Sequence, residues 1–455
     1  MHLPSRLPRQ DTLTVVVPLV APSPTGKPLQ ALFEQVQASV WQDGAQTGPI
    51  PFAHMKSVHF ARFALCEADL APDGTPIPAC LLFSTEFDGE LDAHLDELVF
   101  HAAGPLEAIF AECEGFAAQG GDPATRICNF LKAKRSRPSA FFVGAVGRTV
   151  EQIHQEQQRS QQIRQAACAL DPELDPVLVW HELRKQVDTT GWGGPRSAQN
   201  TESHRVWREV IFWLVTAGLL ILAAFLLVAH PWLIAPGVYV AFWLRLLEQN
   251  EADQVAAQRA AQSQAQQSEQ DDRREKLHAK FEDRWEQNQL TAITLIARSP
   301  LRRGLQRLVL AGSHFRARFH FTRGLLDGVP TIHFAHWHVI EKGSRLVFVS
   351  NYDGSWASYL DSFTLHAAGP MSAIWSQSVG FPPTRFLLWG GAEDGPCFKQ
   401  FARRHQVAPS VFYSAYPQLS VEEINRNSEL VGGLQDPRLG EARNRLETRE
   451  WLCNI

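Results

Sequence analysis

The motif HAAGP occurs twice, at 101–105 and at 366–370, inside a longer internal repeat. VHFARF (58–63) returns as IHFAHW (332–337), and LLFSTEFDG (81–89) returns as LVFVSNYDG (346–354). HAAGPLEAIF (101–110) matches HAAGPMSAIW (366–375), and PSAFFVGAV (138–146) matches PSVFYSAYP (409–417). TLTVVVPL near Leu13 aligns with QLTAITLI near Leu290. From the Asp-Gly pair to the Gly-Phe pair the offset is constant at 265 residues (366 minus 101). A chain of this kind folds as two copies of one supersecondary unit, and a face that one copy cannot bury alone is covered by its neighbour.

Each copy reads strand, helix, strand, strand, helix, irregular or helical segments, strand, helix. VHFARFAL alternates, so His59, Ala61, Phe63 and Leu65 share one face. ACLLFSTEFDG is its hairpin partner. LDAHLDELVFHAAG carries a helical apolar stripe, which Gly104 is expected to end and Pro105 to restart. TVEQI (149–153) and SVEEI (420–424) are capping boxes. The order β-α-β-β-α-β is the split βαβ, or ferredoxin-like, unit. Such a sheet has helices on one face only. The expected fold is therefore α+β: two ferredoxin-like repeats burying their bare faces on each other as a pseudo-dimeric α+β barrel.

Between the copies lies an apolar stretch. Val210 to Ala229 is twenty residues without a charge, enough to cross a hydrocarbon core of roughly 30 Å. After His230 a second uncharged run, PWLIAPGVYVAFWL, ends at Arg245, with Pro236 and Gly237 expected to bend it. Arg205, Arg208 and Arg245 flank the pair, and the tip has no Lys or Arg. By the positive-inside rule this is a transmembrane hairpin with both flanks in the cytoplasm. A single span plus an interfacial segment is the alternative. Mutual burial of the two copies requires them on one side of the membrane, which favours the hairpin.

The expected organisation is repeat one at 1–163, a linker at 164–205, the hairpin at 206–247, a long polar helix at 248–287, repeat two at 288–433 and a tail at 434–455. The linker holds a helical patch, VLVWHELRKQV. The N-terminus has no apolar h-region and does not read as a signal peptide. Seven cysteines are scattered without a CxxC pair, which fits reduced thiols. Net charge is −5, so no basic field points to nucleic acid. The expected location is the inner (cytoplasmic) membrane, with the lipid bilayer as partner and a second copy or another membrane protein as a further one.

The repeat supplies an internal control, because residues shared by both copies are explained most simply by the fold. His59/His333, Asp88/Asp353 and His101/His366 are shared. Asp-Gly after a strand suits a turn, and a histidine in a last helical turn complements the helix dipole. Copy two alone has His336 and His338 on one strand face, a His-x-His pair able to chelate a metal where copy one has Arg62 and Ala64. Copy two also has Tyr352, Tyr359, Tyr413 and Tyr416 with Trp337, Trp356, Trp375 and Trp389. They form either an aromatic core or a flat-ligand pocket. Arg385, Arg403, Arg404 and His405 offer anion contacts or an axial ligand. P-loop, GxGxxG, GxSxG and HExxH motifs are all missing.

At IHFAHW, SNYDGSWASYLDSF and HAAGP the chain resembles a sparsely characterised bacterial group with paired ferredoxin-like units. More distantly it is similar to the dimeric α+β barrel superfamily, which includes dye-decolorising peroxidases and chlorite dismutase-like haem proteins. Of the peroxidases' G-x-x-D-G distal motif the chain keeps Asp88-Gly89 and Asp353-Gly354. The resemblance implies haem as the cofactor to test. On that reading Asp353 and Arg385 are catalytic, and His333, His366, His405, Tyr352 and Trp375 line the cofactor. Two functions follow as expectations: a membrane-anchored binding or scaffold protein, or a peroxidase-like oxidoreductase with its pocket in copy two.

Overall fold

The computed structural model describes residues 8–20, 29–70, 76–187, 196–261, 275–321 and 324–455. It is mixed α+β with antiparallel sheets. In the first half β1 (Gln10–Pro18), β2 (Val58–Cys66) and β3 (Cys80–Asp88) form a sheet with β3 in the middle. The fourth long-range strand, β4 (Ala140–Val143), leaves that sheet. In the second half β5 (Gln287–Leu295), β6 (Ile332–Ile340) and β7 (Arg345–Asp353) repeat the arrangement with β7 central, and β8 (Val411–Ser414) leaves.

The departing strands change sheets. Arg135–Ser136 pairs with β1, and a few residues later β4 pairs antiparallel with β6 of the other half, Phe142 opposite Ala335. In the second half Gln406 bridges Ala292 on β5, and β8 then pairs with β2, Val411 opposite Phe63. Each final strand therefore begins on its own sheet and ends on the partner sheet. This differs from the ferredoxin-like unit expected from the sequence, in which the strand stays within its own copy. Periodicity assigns faces to a strand but not a neighbour, and both edges present the same unpaired backbone groups.

Helices cover one face of each sheet. On the first, α1 (Leu29–Asp43), α2 (Leu91–Phe110) and α3 (Pro123–Lys134) bury Phe33, Leu98, Ile109 and Phe130 against Ala61, Phe63 and Phe83. Next come α4 (Val150–Ala167), α5 (Pro176–Gln186), α6 (Arg196–Ala229) and α7 (Ile234–Ala261). On the second sheet, α8 (Pro300–Phe319), α9 (Trp356–His366), α10 (Ala368–Trp375) and α11 (Gly395–His405) pack Leu310, Phe363, Ile374 and Phe401 against Ala335, Trp337 and Phe348. The other faces meet. Ala64 and Leu82 of the first half form one buried cluster with Val347 and Val349 of the second. Finally α12 (Val421–Gln435) and α13 (Arg445–Leu452) close a small core with α5 around Trp180, Leu183, Leu430 and Trp451.

Two local details differ from expectation. The helix break falls at Ala102 (φ −142°, ψ 26°), not at Gly104, and the second half breaks at the counterpart Ala367 (φ −132°, ψ 21°). Proline lacks an N–H and its ring clashes with the carbonyl four residues back, so Pro105 and Pro370 distort the turn before them. Conversely, Pro236 and Gly237 do not interrupt α7, because they sit in its first turn, where a missing N–H costs nothing. Both capping boxes form, Thr149 with Gln152 and Ser420 with Glu423. The expected polar helix begins as the continuation of α7. Its stretch 262–274 lies outside the described residues, and 279–286 is turn and bend, with Glu282 paired to Arg403 at 2.5 Å.

One helix among the described residues is long and apolar enough to cross a membrane. It is Val206–Ala229, with mean hydropathy 2.7 and only 6% of that window buried.

Candidate functional site

The two facing sheets carry polar groups as well as apolar ones. Along β2 and β3, residues alternate between helix side and inter-sheet side, which places Arg62, Ser84 and Glu86 against the second half. Arg62 donates to Gln289 Oε1 at 3.1 Å and to the Ser350 carbonyl at 3.3 Å, and its other Nη donates to Asn351. Its guanidinium stands 3.6 Å from Glu86. Glu86 Oε1 accepts from His336 Nε2 at 2.7 Å, and His336 Nδ1 lies 2.8 Å from His338 Nε2. Arg62, Glu86, His336 and His338 are all 0% exposed.

Charge decides how this network holds its protons. Burial lowers the pKa of Arg62, while Glu86 opposes the shift. Burial would raise Glu86, but Arg62 and His336 outweigh it and hold the carboxyl below its usual range. Burial lowers His336 despite Glu86, and burial together with His336 pushes His338 well below the usual imidazole value. With both rings neutral, one assignment satisfies the chain: His338 Nε2–H donates to His336 Nδ1, and His336 Nε2–H donates to Glu86. In this arrangement one ring is the other's hydrogen-bond partner. Among the described residues no group of three His, Cys, Asp or Glu side chains is placed to hold a metal ion.

A pH dependence follows. The unfolded chain takes up protons on these histidines below about pH 6.5, and the folded protein does so only at lower pH, His338 the lower of the two. Stability is thus complete above that pH and falls as pH drops. Glu86, depressed in the folded state, adds a further loss below roughly pH 4.3. Urea unfolding from pH 7.5 to 5.0 is expected to show a loss that approaches about 1.4 kcal/mol per pH unit from His338, with a smaller part from His336. His338→Leu should flatten the slope, and an equal slope in that variant would contradict the assignment.

The shared His–Asp pairs have a structural use. His59 Nε2 lies 2.9 Å from Asp88 Oδ1, and Asp88 Oδ2 accepts from the Val150 N–H, the first turn of α4, at 2.9 Å. His333 Nε2 lies 2.7 Å from Asp353 Oδ1, and Asp353 Oδ2 accepts from the Val421 N–H of α12 at 2.8 Å. Tyr416 Oη is 2.7 Å from His59 Nδ1. Each aspartate thus ties a strand histidine to a helix N-terminus, where a carboxylate also meets the positive end of the helix dipole.

The remaining candidates are distributed. Tyr352 stacks on Tyr359 at 3.8 Å inside the second core, and Trp375 lies edge-on to Phe348 at 5.7 Å. His405 is bonded to the Phe401 carbonyl at 2.9 Å, and His366 is exposed at the end of α9. Arg385 is exposed on a surface cleft of about 460 Å³ that also has Arg245, Glu248, Trp389 and Glu393 on its walls. Sequence reasoning brought His336 and His338 to one face but missed Glu86, Arg62, Gln289 and Asn351. Their signal was present: a charge inside each of two neighbouring apolar strands, at positions opposite the helix-facing residues. Comparison with protein-family models, curated proteins and solved structures returned no match to this chain.

Proposed function

We propose that this chain is a membrane-anchored binding or scaffold protein that presents a pseudo-dimeric α+β barrel, built from two ferredoxin-like repeats, on the cytoplasmic side of the inner membrane. One observation carries the reading: the apolar stretch leaves and rejoins the same half of the folded body. At its exit Phe212 stacks on His320 (4.7 Å) and Phe315 (5.5 Å) beside α8. At its return, buried Glu248 accepts from the Phe386 and Leu387 N–H groups, both at 2.9 Å, and from Thr384 Oγ1 at 3.0 Å. Phe386 and Leu387 have positive φ (49° and 68°), so this carboxylate holds a turn that those residues rarely adopt.

Between these anchors Trp213, Leu220, Ile221, Phe225, Val228, Tyr239 and Phe242 are exposed. Soluble monomers rarely show apolar patches of more than a few hundred Å². The helix Val206–Ala229 is about 36 Å long, enough for a hydrocarbon core of roughly 30 Å, and the apolar return arm 234–244 is shorter, about 16 Å. Basic flanks and a tip without Lys or Arg support the cytoplasmic assignment. A scaffold role fits the interior, where the polar side chains between the sheets are engaged with each other.

Wild-type protein is expected in the membrane fraction after an alkaline carbonate wash. Leu220→Asp with Phe225→Asp should release it, since each central aspartate costs roughly 2.5–3.5 kcal/mol of insertion. Wild-type protein that is monodisperse in buffer without detergent would overturn the proposal.

A further inference from the structure

Cys66, the last residue of β2, and Cys80, the first of β3, share one rung of the ladder, directly opposite one another. Opposed residues on antiparallel strands have Cα atoms about 4.5–5.5 Å apart, within the roughly 4.4–6.8 Å that a disulfide requires. Alternation puts both side chains on the inter-sheet face with Arg62, Ala64, Leu82 and Glu86. We infer that Cys66 and Cys80 form a peroxide-responsive dithiol centre that closes to a cross-strand disulfide at the seam between the two halves.

The surroundings suit that chemistry. The Cys66 thiol donates to the Cys80 sulfur, and Arg345, from the opposite half, also donates to it. These contacts bring the Cys80 thiol down to about 7, against burial, whereas buried Cys113 is pushed up to about 12. Cys80 is thus the more readily ionised sulfur, and Cys66, held in its protonated form, is the resolving one. The second copy has Ile340 opposite Arg345 at the matching rung, so the fold does not demand the pair.

The reaction balances with a hydroperoxide as oxidant. The Cys80 thiolate attacks one peroxide oxygen, the O–O bond breaks, and hydroxide leaves, taking a proton to become water. The Cys66 sulfur then attacks the Cys80 sulfenic acid. The S–O bond breaks and the departing hydroxide takes the Cys66 proton. Two thiols and one hydrogen peroxide give one disulfide and two waters, and a dithiol reductant reverses the change.

The test uses the full chain in detergent at pH 7, treated with one equivalent of hydrogen peroxide, alkylated and digested for mass spectrometry. The expected result is one new cross-linked peptide joining Cys66 to Cys80, the loss of two of the seven free thiols, and recovery of both with dithiothreitol. Cys66→Ser should leave a Cys80 sulfenic acid that a 1,3-diketone traps. Arg345→Gln should slow the oxidation roughly tenfold through a smaller thiolate fraction, with Arg345→Lys restoring most of the rate. Thermal melts of each variant separate this from loss of folding. The inference is overturned if Cys66 and Cys80 stay alkylatable while exposed Cys168 and Cys453 are oxidised, or if Cys80 proceeds to sulfinic acid without a cross-link.

Discussion

Residues 1–187 and 275–455, produced as separate chains, are each expected to aggregate or remain unfolded, and to give one soluble complex when co-expressed. The reason is the exchanged strand. Without the second half, β2 loses its β8 neighbour at Phe60 to Phe63, and β4 has nothing to pair with. The first half would also expose Ala64, Leu82 and Arg62 on a flat sheet face, and an uncovered sheet with free edges is a template for aggregation. The loss is reciprocal for the second half, which needs β4 on β6. Co-purification at equal stoichiometry, with one cooperative melt, is the expected readout. A first half that is monomeric and melts cooperatively alone would show that the exchange is not required.

Glu86→Ala is expected to destabilise the protein by about 3–5 kcal/mol, because it leaves Arg62 as an uncompensated buried charge. The loss should appear as a lower denaturant midpoint with an unchanged slope. Replacing the ion pair by apolar side chains of similar size, Arg62→Met with Glu86→Leu, should recover most of that loss, since desolvating two charges offsets much of their attraction. The pair's contribution is then specificity: it fixes which residue of one sheet meets which residue of the other. A Glu86→Ala variant within about 1 kcal/mol of wild type would mean that water reaches the site and relieves the charge.

These two effects show where the sequence is informative. The alternating strands around Phe63 and Phe348, the two capping boxes and the long apolar helix can be read from spacing, because each depends on residues within one or two turns of each other, and the repeat shows as direct likeness between two stretches of the chain. Glu86 and His336 are 250 residues apart (336 minus 86), and no local pattern links them. The exchange of β4 and β8 was hidden for the same reason. PSAFFVGAV and PSVFYSAYP look alike, and likeness does not say which sheet each one joins. The break at Ala102 lies two residues before Gly104 because the proline at 105, not the glycine, distorts the turn. Cys66 and Cys80 lie fourteen residues apart (80 minus 66), a spacing that carries no CxxC signal. A cross-strand pair needs only equal distance from a hairpin turn.

The most direct measurement of the account as a whole uses two native thiols, Cys168 after α4 and Cys453 near the C-terminus, both exposed. They belong to chain segments on either side of the apolar stretch, yet Arg164 and the Asn454 carbonyl lie 3.3 Å apart. In sealed membrane vesicles of defined orientation, a membrane-impermeant maleimide should label both from the same side. Labelling of Cys168 from one side and Cys453 from the other would contradict the account, because the halves could not then share strands.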